Sequence, residues 1–225
     1  MAATTSPARP GVAFAGIAGL AAGAALIVLL ALIPPTDEIS VTRQTISQYG
    51  LTDGKWLFNL AVLLVATGSA LVIGLLRWQG RLPTAALVLG TLWTVSLLVV
   101  IAVPKANWAV VTGFNLGGTV HRAASLIGFG CLPFAVLAAA RTVFPDSPGR
   151  RFTARLFAVL SLAWFGAIVV AVVVAAATDQ HWWRLIPLGA VERGMALTDL
   201  IALTVLALPT VPARTLTETT AAPVG

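Results

Sequence analysis

His121, Glu192 and Asp199 are the side chains best suited to chemistry, since each is ionisable and stands inside or at the edge of a long apolar run. Asp199 follows Glu192 by seven positions. At 3.6 residues per turn the two share a helix face, with Asp199 about 10 Å deeper. A carboxylate at depth in a bilayer costs roughly 2.5–3.5 kcal/mol, and such residues mark functional sites by default. Its expected partners are Arg122 and Arg193, or Ser125, one turn beyond His121. The alternative is a hydrogen-bonded structural Asp that ties two helices together. His121 could act as acid, base or ligand. Ser47 could be a nucleophile beside it, but no nucleophile elbow surrounds that serine. The only histidines are His121 and His181, with no HExxH or HxxxH spacing, so neither a metal site nor a cofactor is expected.

Arg122 and Arg193 fall in the first turns of their expected helices, where a cation opposes the helix dipole. They need partners there. Glu192 and Asp53 could supply interhelical pairs, or a bound anion could sit between them, because Arg holds carboxylate and phosphate bidentately. The plainer reading has both arginines reaching out to lipid phosphates at the interface. The segments that carry them look alike. Gly118-Thr119-Val120-His121-Arg122 and Gly189-Ala190-Val191-Glu192-Arg193 each open a helix. Gly50-Leu51-Thr52-Asp53-Gly54, followed by Lys55, is a weaker third copy. The near-equal spacing suggests one hairpin per unit, repeated in parallel, although a composition this biased also yields chance matches.

These residues must be positioned by helices in a membrane. Of 225 residues, 58% are hydrophobic and only 10% are charged. Soluble domains carry about 25% charged residues, and so few charges cannot cover a water-exposed surface. The net charge of +6 comes from basic residues in short loops, so it reads as a topology signal and not as a nucleic-acid footprint. Cys131, the single cysteine, lies in an apolar run and reads as a small buried residue.

Six apolar stretches match the roughly 20 residues needed to cross a bilayer: 11–33, 56–76, 85–103, 120–140, 154–177 and 190–209. They are continuous and not alternating, which predicts an all-α bundle of about six spanning helices and excludes a β-barrel. The first is too long for a cleaved signal peptide. Arg9, Arg77, Arg81, Arg141, Arg150, Arg151, Arg155 and Arg214 fall on one side. Arg43, Lys55, Lys105, Arg122, Arg184 and Arg193 fall on the other. The first set is nearly free of acids, which predicts cytoplasmic termini in a bacterial inner membrane. Residues 1–10 form a short cytoplasmic start, and 210–225 a disordered cytoplasmic tail. Trp108, Trp182 and Trp183 fit an outer aromatic belt. Gly19 and Gly23, and Ala66, Ala70 and Gly74, predict close helix approach.

Several motifs carry a resemblance. Thr45-Ile46-Ser47-Gln48-Tyr49-Gly50 precedes a helix that begins Trp56-Leu57-Phe58. Gly118-Thr119-Val120-His121-Arg122-Ala123-Ala124 follows, with Pro133 inside the fourth span. Together they resemble the bacterial domain-of-unknown-function family 998, over most of the chain. The resemblance implies a six-helix membrane protein with no established activity. It also implies an acid near Gln48, and Pro followed closely by Asp after the third span. Gln48 and Pro104-Lys105-Ala106-Asn107 depart from both.

The function expected from these residues is an outward-facing polar pocket, lined by Asp53, His121, Arg122, Glu192, Arg193 and Asp199, that binds or transports an anionic small molecule or lipid headgroup. Membrane lipids are its expected surroundings, nucleic acid is not a partner, and the oligomeric state is open. One alternative is a lipid-modifying enzyme that uses His121 with Asp199 or Glu192. The other is a structural or assembly subunit whose polar cluster fixes helix register.

Overall fold

The computed structural model describes residues 10–107 and 113–210. Within them the chain is helical: α1 (Pro10–Leu30), α2 (Lys55–Trp78), α3 (Thr84–Ala102), α4 (Leu116–Val143), α5 (Pro148–Thr178), the short α6 (Trp182–Leu185) and α7 (Leu188–Ala207). Five of these, α1 to α5, are long and apolar enough to cross a membrane. The 20 residues of α7 reach about 30 Å, enough to span as well, but Glu192, Arg193 and Asp199 interrupt its apolar character. The protein is a multi-pass helical bundle. The expected N-terminal start and C-terminal tail lie outside the described residues, apart from Pro10 and Thr210, as does Trp108.

Prolines and glycines set the helix ends. The expected first span reaches residue 33, but α1 stops at Leu30. Pro34 and Pro35 have no N–H to offer the carbonyls four residues back. At Leu30 O the Thr36 hydroxyl substitutes, donating at 2.7 Å, and it also lies 2.9 Å from Ile33 O. Gly80, with φ +69°, turns the chain out of α2. Asn115 caps α4 by accepting the Gly118 N–H at 2.6 Å. Pro148 opens α5 several residues before the expected start, which adds Arg150 and Arg151 to the helix.

The helices pack as three consecutive antiparallel pairs: α1 on α2, α3 on α4 and α5 on α7. The first pair is the tightest. A Cβ at Gly23 would meet Ala61 O at 2.6 Å, and one at Gly68 would meet Gly16 O at 2.7 Å. Gly19 faces Leu64 O, so the expected small-residue contact on α1 is present. On α2 the expected face is only partly used. Ala66 is buried but Ala70 and Gly74 are exposed, and the face that meets α1 is Ala61, Val65, Gly68 and Val72. The α2–α3 contact is fixed by a buried hydrogen bond, Trp93 Nε1 to Ser69 Oγ at 3.0 Å.

The two ends of the bundle differ. At the end with the tight turns, 79–83 and 144–147, a continuous core of Leu76, Leu132, Val136, Leu203, Leu206 and neighbours fills the interior. At the end with the long connections a smaller cluster of Leu30, Ile39, Tyr49, Leu57, Phe58 and Val62 seats the 31–54 loop on α1 and α2. Between the two clusters the bundle is hollow.

Candidate functional site

The hollow is a cavity of about 370 Å³, walled by α1, α2, α3, α4 and α7 and roofed by Val41, Ile46 and Ser47 of the 31–54 loop. Its deepest residues include Phe129, thirteen residues into α4, so it extends roughly 20 Å from the loop end. Nearly every wall side chain is apolar, among them Ile27, Val62, Val65, Trp93, Leu97 and Leu200. The polar exceptions are Ser47, Ser96, Ser125, Glu192 and Arg193. Val28 and Leu32 of α1 and Leu197 of α7, all on the lining, are 59%, 70% and 59% exposed. The cavity therefore opens sideways, between α1 and α7, toward where lipid would be.

Glu192 and Arg193 hold the roof. Glu192 Oε2 accepts the Ile46 N–H at 2.6 Å. Arg193 Nη1 donates to Gln44 O at 2.8 Å, to Val41 O at 2.9 Å and to Gly189 O at 3.1 Å. Its Nη2 donates to Tyr49 Oη at 3.3 Å, and the guanidinium carbon lies 5.8 Å from the Tyr49 ring centroid. Gly189 makes this approach feasible, because a Cβ there would collide with Gln44 O. The partner expected for Arg193 was an acid or an anion. Backbone carbonyls take that place, so this arginine anchors a loop.

A second, much smaller pocket of about 10 Å³ lies beside the cavity, room for about one water. Ser47, Phe58 and Val100 belong to both walls. His121 lines it and is 3% exposed. Its Nδ1 lies 2.8 Å from Val103 O. A carbonyl only accepts, so Nδ1 carries the proton. The Val100 carbonyl, whose helical donor would come from Pro104, also lies against the ring. Nε2 is buried and has no hydrogen-bond partner. Lys105 closes the same pocket, with Nζ donating to Thr45 Oγ1 at 2.7 Å and to Gln48 Oε1 at 3.1 Å. Burial lowers the Lys105 pKa, and the charge of Glu192 partly opposes that. Gln48 and Lys105, the two departures from the family pattern, thus contact each other.

The remaining expected site residues scatter. Asp53 is exposed in the turn before α2, away from the pairing role expected of it. Arg122 is exposed on α4, while its neighbour His121 is buried. Ser47 Oγ pairs with Thr45 Oγ1 at 3.1 Å, and Ser125 Oγ donates to His121 O in its own helix at 3.0 Å. Asp199 is fully buried, but neither the arginines nor Ser125 serve it. Ser161 of α5 stands against it, yet the Ser161 hydroxyl and both Asp199 oxygens have no partner at hydrogen-bond geometry. His121 and Asp199 share no partner among the described residues. Among those residues no cluster of three metal-ligating side chains occurs.

His121 binds the linker before α4, and Glu192 binds the 31–54 loop, each three residues after its glycine. Asp53 has no equivalent role.

A family model described as a protein of unknown function, DUF998, matches residues 11–209. The chain belongs to the DUF998 family. No curated protein and no solved structure matches this DUF998 chain. The cavity and the loop anchor therefore rest on its own geometry.

Proposed function

We propose that this DUF998 protein binds a lipid-like amphiphile that enters from the bilayer between α1 and α7. The apolar chain occupies the cavity, and the polar end lies under the 31–54 loop. The supporting observation is the cavity itself: about 370 Å³, apolar along its depth, and polar mainly near its roof. That volume is in the usual range for ligand sites, roughly 300–1,000 Å³. The lipid-exposed mouth residues favour a ligand that partitions into membranes over a soluble anion. Arg193, committed to carbonyls, weakens the reading of a simple anion trap.

On the arginine bias, the loop end faces outward and both termini are cytoplasmic in a bacterial inner membrane. The ligand then comes from the outer leaflet. The acid–base pairing of His121 with Asp199 draws no support from their separate environments.

The test is equilibrium binding of a tritiated long-chain amphiphile to the purified protein in nanodiscs. Saturable binding at one site, reduced in Ala196→Trp, supports the reading. Uptake that does not saturate above empty nanodiscs contradicts it.

A further inference from the structure

We infer that the small pocket beside the cavity is a hydroxyl subsite, so that the amphiphile of the preceding section, on which this inference rests, is a lipid alcohol. The geometry of three groups points there. His121 is buried, and because its Nδ1 must donate to Val103 O, the Nε2 of the neutral imidazole is a bare acceptor. Buried acceptors without a donor are rare and costly, and a ligand or water normally serves them. Lys105 offers the complement. Thr45 and Gln48 take two of its three ammonium donors. Ser47 completes the polar wall between this pocket and the cavity.

A single hydroxyl suits this set. It donates to His121 Nε2 and accepts from Lys105 Nζ. The pocket, about 10 Å³, has room for one oxygen and not for a phosphate. A carboxylate oxygen would meet the Nε2 lone pair and be repelled unless the ring took a second proton. Because the two cavities share Ser47, Phe58 and Val100, an alcohol seated here has its chain beside the apolar cavity. Small rotations of those shared side chains would join the two spaces.

The test compares three probes of equal chain length, a primary alcohol, its methyl ether and the corresponding carboxylate, on the protein in nanodiscs at neutral pH. The expected result is alcohol binding about tenfold tighter than ether, the worth of one buried hydrogen bond. His121→Phe should remove the preference, and His121→Gln, which restores an acceptor, should return part of it. The probe comparison on the unmodified protein stands even if the variants fail to fold. Equal binding of alcohol and ether overturns the hydroxyl subsite, assigns the pocket to water, and leaves the cavity reading intact. Tightest binding of the carboxylate also overturns it, in favour of an imidazolium serving both Val103 and Val100 while the site holds an anion. If no probe binds saturably, the cavity reading fails and takes this inference with it.

Discussion

Glu192 accepts the backbone N–H of Ile46 at 2.6 Å across 146 positions of sequence. With Arg193 beside it, this contact makes the start of α7 the clasp for the loop that roofs the cavity. The α1–α7 mouth and the roof meet at this clasp, so its loss should loosen both.

Arg193→Ala should destabilise the protein by about 1–2 kcal/mol, since it removes charge-assisted donors from Val41 O, Gln44 O and Gly189 O, the first two at exposed positions that water can reach. Arg193→Lys should recover only part of this, because an ammonium lacks the guanidinium fork. Thermal unfolding in detergent measures both. A lysine variant equal to the native protein would show that charge, and not geometry, holds the loop.

Gly23→Val should cost about 1–3 kcal/mol, because the added atoms run into Ala61 O and Val65. Gly74→Ala should stabilise by up to about 1 kcal/mol, since a Cβ there meets nothing and alanine is the better helix former. The opposite order in thermal unfolding would mean that α2 packs through its Ala70–Gly74 face.

Lys105 gives a signed pH dependence. Its folded pKa lies below the ordinary lysine value of 10.5 because burial disfavours the charge. Between the lowered value and 10.5 the unfolded chain holds more protons, so stability from this group rises with pH across that window. Below the lowered value Lys105 is charged in both states and the burial penalty is fully present. Lys105→Met should flatten the alkaline slope of unfolding temperature against pH. An unchanged slope would remove Lys105 from the account.

Asp199→Asn should raise stability at neutral pH, because it keeps the shape and cannot carry a charge at a buried site where both carboxyl oxygens lack a hydrogen-bond partner. A loss of stability in the same unfolding assay would reveal a partner that depends on the carboxylate.

The helices were legible in the sequence because apolar run length reports membrane crossing almost without regard to packing. Helix ends were less so. The break after Leu30 depends on Thr36 answering the Leu30 carbonyl, which Pro34 cannot, and run length does not encode that. The shared face of Glu192 and Asp199 follows from helical period alone, but their partners do not. Its helix position says that Arg193 needs one. The carbonyls of Val41 and Gln44 leave no trace in residue type, so residue type points only to an acid or an anion. Asp53 and Arg122 looked equivalent to Glu192 and Arg193 by local motif, yet side-chain roles depend on which loop lies opposite. The cavity leaves no trace in the sequence, because it is a shape left where Gly and Ala of α1, α2, α4 and α7 face the larger side chains of α3.

The central claim is that the hollow holds a lipid-like molecule, and native mass spectrometry of the protein lifted from its own membrane tests it most directly. The account predicts one retained adduct of lipid mass on the unmodified protein, lost in Ala196→Trp and in Ala124→Leu, two cavity-filling variants checked for native unfolding temperature. No adduct on the unmodified protein, or the same adducts on folded variants, would contradict it.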